Sequence, residues 1–305
     1  MIEEIINQEN MSQGTTSEPG SKNLDMEAEY VYLPSKGVYY PEPYKGMDKL
    51  KVRKLNWEDE DILTTKSYYD NGTLFDEILK NCIVDENGFK ASMLVPVDRD
   101  TILWWLRIGA FGKDYSIPWV CPGKKEDGDT CKHQHNETWD LGTFKMPELD
   151  PAIVNEILQS GGIAITLPHS LLKCKISIAT VGREKEIERK LKLKKEKTKS
   201  TRDFLSTGKL ISIIREVYDK EGKPLKTSEE ILNWLRTGYE GKPLPLVDSR
   251  YIVRRSQEIS LRVDTKKDII CPECDYIQEG VEMPMSIYFF WPEFEELSRV
   301  SSEKY

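Results

Sequence analysis

Ile269-Ile270-Cys271-Pro272-Glu273-Cys274-Asp275 reads as one half of a metal site. Two β-branched residues run into the first thiol, proline shapes the turn, and the C-x2-C spacing turns the second thiol toward the same point. A related stretch lies far upstream: Trp119-Val120-Cys121-Pro122-Gly123, with Cys131 ten residues after Cys121. Its spacer, Pro-Gly-Lys-Lys-Glu-Asp-Gly-Asp-Thr, reads as the same knuckle carrying a polar insertion. Zinc takes four soft or borderline ligands in a tetrahedron, and two such loops supply them. The predicted ligands of one structural Zn2+ per chain are therefore Cys121, Cys131, Cys271 and Cys274. His133 and His135 follow Cys131 closely and are the alternatives to it; four reduced thiols without metal are the other alternative.

A four-thiolate site has no open position for water, so it stabilises a fold rather than activating a nucleophile. It would clasp the segment after residue 112 to the C-terminal strands. Cys82 and Cys174 sit in apolar periodic patterns and are expected in the core.

Composition sets the setting for that site. Apolar residues make 38% of the 305-residue chain and charged residues 31%, which suits a well-solvated globular fold with a sizeable core. With 52 acidic against 44 basic side chains, wholesale electrostatic binding to nucleic acid or an anionic membrane is not expected. The opening MIEEIINQEN lacks the basic and apolar regions of a secretory signal, and the apolar run at 287–291 is too short to span a bilayer. A reducing compartment is expected, where six cysteines serve as thiols or metal ligands rather than disulfides.

Outward from the knuckles, the pattern is mixed. Residues 1–28 are polar and read as a disordered tail, leaving 29–305 as a single α+β domain. Its zinc-ribbon-like subsite comes from residues 115–143 and 266–291, set against a helical core with short antiparallel strands. Tyr30-Val31-Tyr32-Leu33, a turn at Pro34–Gly37 and Val38-Tyr39-Tyr40 predict a hairpin or tyrosine-rich arm, followed by a strand over 49–55. Asn56 caps a helix with Glu58 and Asp59 in its first turn. Leu74, Ile78 and Cys82 share a helical face. Asp98 is read as the cap of an apolar helix that Gly112 stops, with strands over 163–180 and basic helix over 183–219. Thr227-Ser228-Glu229-Glu230 offers a capping box, Asp248 a cap for a helix through about 262, and 283–291 a last strand. The seven tryptophans are mostly core candidates.

No P-loop, dinucleotide fingerprint, HExxH or G-x-S-x-G elbow is present in the sequence, so the chain is read as non-enzymatic. Cell-wall hydrolysis would need two working carboxylates that no motif singles out. The basic stretch over 183–202 predicts a salt-bridged helix surface, with Glu186 opposite Lys190 and Glu188 opposite Lys192. The competing reading is a zinc-ribbon factor that binds nucleic acid through this stretch, although no aromatics interleave to stack bases.

The order of segments resembles a known family. Leu33-Pro34-Ser35-Lys36-Gly37, Tyr39-Tyr40-Pro41, Lys51-Val52-Arg53 and Asn81-Cys82 come first. Asp98-Arg99 then opens the helix closing on Arg107-Ile108-Gly109-Ala110-Phe111-Gly112-Lys113-Asp114-Tyr115, with cysteines just beyond. The series is similar to the baseplate hub family of T-even-like contractile-tailed bacteriophages, best over residues 30–180. The long polar loop between Cys121 and Cys131 and the extended basic helix depart from that pattern. The resemblance implies a structural or assembly role in the tail baseplate hub. The implied partners are other baseplate and tail hub proteins, with self-association also allowed. Assembly would take place in the host cytoplasm, with retention in the virion tail as one outcome. No catalytic residue carries over.

Overall fold

The computed structural model describes residues 28–84, 87–198, 204–219, 221–285 and 287–291. The polar tail read over 1–28 lies outside these, apart from Ala28.

The first strands are β1 (Ala28–Tyr32) and β2 (Lys49–Arg53), an antiparallel pair with Tyr30 opposite Lys51. The expected tight hairpin over 34–40 is not what joins them. Val38, Tyr39 and Tyr40 form no strand; they lie in a looped segment whose residues are nearly all buried. Three consecutive buried residues cannot belong to a strand with one wet face, because strand side chains alternate. Gly37 makes the loop possible: its φ is +65°, and a Cβ there would lie 2.3 Å from the Met47 amide nitrogen. Of the four tyrosines, Tyr30 and Tyr32 are exposed, whereas Tyr39 and Tyr40 are core residues.

Asn56 is the expected cap and also closes a capping box with Asp59, over a 3-10 turn (Trp57–Asp59) that runs into α1 (Glu60–Thr64). Trp57 itself is exposed. After α2 (Lys66–Asp70), α3 (Leu74–Cys82) buries Leu74, Ile78 and Cys82 on one face, as its spacing predicts. The apolar helix is α4 (Pro96–Phe111), stopped by Gly112 at φ +82°. Asp98 does not cap it. Val95 occupies that position, Pro96 opens the first turn, and Asp98 is fully buried, accepting from the Ser35 amide at 2.9 Å and from the Ser35 and Tyr40 hydroxyls. A carboxylate at the start of a helix was engaged by a partner 63 residues away rather than by its own helix.

Next come β3 (Asp114–Val120) and β4 (Gln134–Asp140), an unbroken antiparallel ladder, and α5 (Pro151–Ser160), capped by Asp150. A four-stranded antiparallel sheet in the order β5-β6-β7-β8 follows, from β5 (Ile163–Thr166), β6 (Lys173–Ile176), β7 (Ile214–Tyr218) and β8 (Pro224–Leu225). Between β6 and β7 lie α6 (Val181–Thr198) and α7 (Leu205–Ile213), so the expected helix over 183–219 is two helices and a strand. In α6, Glu186 pairs with Lys190 at 2.6 Å and Ile187 is buried.

Thr227 closes its capping box on Glu230 at the head of α8 (Ser228–Thr237). The last α-helix among the described residues, α9 (Leu246–Glu258), starts before Asp248 and ends short of 262. Asp248 is again not the cap: it is buried and accepts the His169 and Ser170 amides, both at 2.9 Å, pinning the turn between β5 and β6. The chain then makes β9 (Lys267–Ile270) and β10 (Ile277–Val281). The strand expected over 283–291 is instead a 3-10 turn at Ile287–Phe290, with the successive residues Phe289 and Phe290 both buried. One apolar cluster runs through all of this, from Val31 to Phe290. A separate small cluster holds Cys121, Cys131 and Cys271.

Candidate metal centre

The two hairpins β3–β4 and β9–β10 present their tips to one another. β3 delivers Cys121 one residue past its end, and β9 delivers Cys271 in the same way. Both tips close with the same backbone bonds. The Cys121 amide donates to the His133 carbonyl at 2.9 Å, and the Lys132 amide returns to the Cys121 carbonyl at 3.2 Å. The Cys271 amide likewise donates to the Tyr276 carbonyl at 2.9 Å, and the Asp275 amide returns to the Cys271 carbonyl at 3.0 Å. The residue after each second cysteine, Lys132 or Asp275, has φ +54°. Two loops of different length thus end in equivalent geometry.

The nine-residue spacer explains how. Lys124 bridges Thr130, the Cys131 amide donates to the Gly123 carbonyl at 2.7 Å, and the Lys125 amide donates to the Asp129 carbonyl at 2.8 Å. The insertion is therefore a small hairpin of its own, turning at Gly128 with φ +90°. Its base brings Cys131 back beside Cys121, so the added length costs the site nothing in reach.

All four sulfurs lie within 4.8 Å of one another. Cys121 Sγ is 3.6 Å from Cys274 Sγ, and Cys131 Sγ is 3.9 Å from Cys271 Sγ. These contacts are far longer than a disulfide bond, and all four thiols are free. Four sulfurs each about 2.3 Å from a central ion stand about 3.8 Å apart in a tetrahedron. The donor set and spacing therefore fit a thiophilic tetrahedral ion after closure of the longest edges by about 1 Å. Cys121, Cys131 and Cys271 are buried and Cys274 is partly so.

Electrostatics at the site are uneven. Burial pushes the Cys271 thiol up, but the Glu273 and Cys274 amides aimed at its sulfur, with the neighbouring thiols, outweigh burial and bring it to about 7. Burial raises the Cys121 and Cys131 thiols.

The sequence alternatives to Cys131 are not drawn into the cluster. Among the described residues the group that could hold a metal is the four cysteines, whereas His135 donates or accepts at Glu137 through Nε2 at 2.7 Å and stacks its ring edge on Trp119. Cys82 and Cys174 are buried in the main core, as their patterns predict.

Several contacts around the site carry no sequence signal. Lys267 of β9 forms an ion pair with Glu137, donates to the Thr138 carbonyl at 2.8 Å and lies 4.2 Å from the centre of the Trp139 ring. That residue clasps one hairpin to the other. Gly123 packs directly against the second knuckle: a Cβ there would meet Tyr276 Cβ at 2.5 Å. Gly123→Ala is therefore expected to push the knuckles apart, destabilising the protein by about 1–3 kcal/mol and weakening its uptake of Co2+. Denaturant titration and the cobalt–thiolate absorption would read both effects; parental stability and uptake would place this contact outside the determinants of the site.

No curated protein and no solved structure gives a significant match to this chain. Residues 27–282 match the family described as T4 bacteriophage base plate protein. That span takes in every described strand and both halves of the cysteine cluster. The chain belongs to the T4 bacteriophage base plate protein family.

Proposed function

We propose that this protein is a structural or assembly component of the hub of a contractile phage tail base plate. In this reading it is non-enzymatic, a single α+β domain from residue 29 onward, and held shut by one zinc on Cys121, Cys131, Cys271 and Cys274. The observation that carries the role is the family match over residues 27–282. The observation that supports the zinc is the convergence of four thiols from two equivalent hairpin tips. Bound there, zinc would be four-coordinate with no free position, and its contribution would be to folding.

The surfaces agree with protein contacts. Tyr30 and Tyr32 project from β1, and Val120, Ile270 and Ile277 leave apolar side chains exposed around the knuckle tips. Tyrosine buries large area while keeping a polar handle, which suits interfaces. Partners would be other base plate and hub proteins, met in the host cytoplasm during assembly. The nucleic-acid reading gains no support from α6. Lys185 and Lys190 are engaged by Asp76 and Glu186, and the helix buries Ile187 rather than standing free.

Two measurements test the proposal. Protein purified without added metal should carry about one zinc per chain by elemental analysis; stably folded, zinc-free protein would remove the metal. A tagged copy expressed during infection should co-purify with base plate intermediates, and its depletion should stop tail assembly. Normal base plates formed in its absence would remove the role.

A further inference from the structure

Two guanidinium groups line one cleft, and both are hydrogen-bonded to backbone carbonyls rather than to a carboxylate. Arg183 stands in the first turn of α6, and Arg215 lies in β7. Arg183 Nη2 donates to the Ile211 carbonyl at 3.0 Å and the Ile214 carbonyl at 3.2 Å, while its Nε is buried without a hydrogen-bond partner. Arg215 Nη2 donates to the Ile178 carbonyl. Both line an open cleft of about 770 Å³. Burial pulls the Arg215 guanidinium down to about 10, and the nearby Arg183 charge pulls in the same direction. A largely buried guanidinium held only by neutral carbonyls is expensive, and a second of like sign nearby makes it more so, even with Glu186 offsetting part of the Arg183 charge.

The backbone is built to hold this arrangement. The β6–β7 ladder pairs Lys175 with Glu216 but Ile176 with Ile214, so Arg215 is the extra residue of a β-bulge. Bulges re-aim a side chain out of the regular alternation and are frequent beside functional sites. At the other wall, the Val181 amide donates to the Leu94 carbonyl at 2.8 Å. Gly182 passes so close to Ser92 that a Cβ would come within 2.8 Å of its carbonyl oxygen. This fixes the start of α6, whose positive dipole end lies at the same cleft.

We propose that this cleft docks a single carboxylate of a partner protein between the Arg183 and Arg215 guanidiniums. The proposal rests on reading the chain as an assembly component and names the chemistry its partner would bring. Guanidinium pairs carboxylate in a fixed fork, through charge-assisted bonds about twice as strong as neutral ones. Lys45 adds a third cation to the lining, but Glu42 and Glu186 are there too. Three cations against two carboxylates favour a monoanion over a phosphate dianion or a polyanion. The remaining wall is mixed, with Val38, Tyr39 and Pro41 beside Ser92 and Thr180, and suits the flanks of a peptide rather than a bare ion.

The test uses full-length 15N-labelled protein and the arginine Nε–H resonances. The probe is N-acetyl-glutamate N-methylamide, with inorganic phosphate and chloride at matched ionic strength. The capped glutamate should shift the Arg183 and Arg215 signals saturably and together. Arg215→Gln should weaken binding about tenfold, the loss of one charge-assisted pair. Two rim variants keep the test independent of folding: Lys45→Gln should weaken binding about threefold and Glu42→Gln should tighten it by a similar factor. Shifts that merely follow ionic strength, tighter binding of phosphate, or no response to Glu42→Gln would each overturn the proposal. Failure here would leave infection-stage co-purification intact, so it is distinguishable from failure of the base plate role.

Discussion

Cys271→Ser is expected to abolish metal retention and to lower stability by on the order of 4–5 kcal/mol, the size typical of losing a structural metal. Cys271 is the most buried of the four cysteines at 0% exposed, and its sulfur is the one at which two backbone amides are aimed. Serine offers a harder, less acidic oxygen in place of a thiolate, so a tetrahedral sulfur site would lose a quarter of its shell. The damage should be local first. Without the metal, the contacts between the tips among the described residues are the Lys267 clasp, the Gly123–Tyr276 packing and an exposed Lys125–Glu273 pair at 3.8 Å. Limited proteolysis should therefore open the 121–131 hairpin before the core built around α4. Zinc content would fall from about one per chain to near zero, and a chelator applied to the parent protein should reproduce the variant's melting curve. Cys174→Ser supplies the control: Cys174 is buried in the four-stranded sheet, so some stability would be lost while zinc stays. Parental zinc content and melting temperature in Cys271→Ser would refute the metal site.

Much of this centre could be read from sequence, and the part that could not has a physical reason. A C-x2-C knuckle is a local signal, because four residues of backbone suffice to set both thiols. The equivalence of Cys131 was weaker in sequence, since its nine-residue spacer is reeled in by hairpin bonds such as Lys125 to Asp129 that spacing does not encode. The same division runs through the fold. Asn56 and Thr227 cap as expected because each bonds a partner three residues away. Asp98 and Asp248 have the same cap-like look but serve amides 63 and 79 residues distant, and nothing local distinguishes the two uses. Phe289 and Phe290 look like strand and pack as a 3-10 turn, because the pocket beside Phe75 and Tyr115 takes both rings at once. The arginine cleft left no trace in sequence, depending on a bulge that only the sheet register reveals.

Asp59→Asn should be the most damaging change away from the cysteines, costing about 3–5 kcal/mol, the range for breaking a buried ion pair from one side. Asp59 is 0% exposed and Arg53 6%. They meet in a two-point fork, Nη1 to Oδ2 and Nη2 to Oδ1, both at 2.7 Å. The same carboxylate accepts from Asn81 Nδ2 at 2.7 Å and from the Asn56 amide at 2.9 Å, so it ties β2, the capped turn and α3 into one corner. Asparagine keeps the shape but removes the charge, stranding a buried guanidinium. Arg53→Met should also destabilise, yet the double variant should lose far less than the two losses added, because no buried charge remains to go unpaired. The pH dependence carries its own sign. Burial pushes the Asp59 carboxyl up, but Arg53, the Asn56 amide and Asn81 outweigh it and hold it below the usual carboxylate range. A carboxyl depressed on folding stabilises above its unfolded value, near 3.9, and that contribution is lost as pH falls through the folded value. Chemical denaturation between pH 7 and pH 2 should therefore show the parent losing stability more steeply below about pH 4 than Asp59→Asn does. Parallel acid limbs would mean that Asp59 titrates alike in both states, and a loss under about 1 kcal/mol at pH 7 would mean that the pair behaves as a surface salt bridge does. Because this corner seats the base of the β1–β2 pair from which Tyr30 and Tyr32 project, either variant should also weaken any partner contact made through those tyrosines.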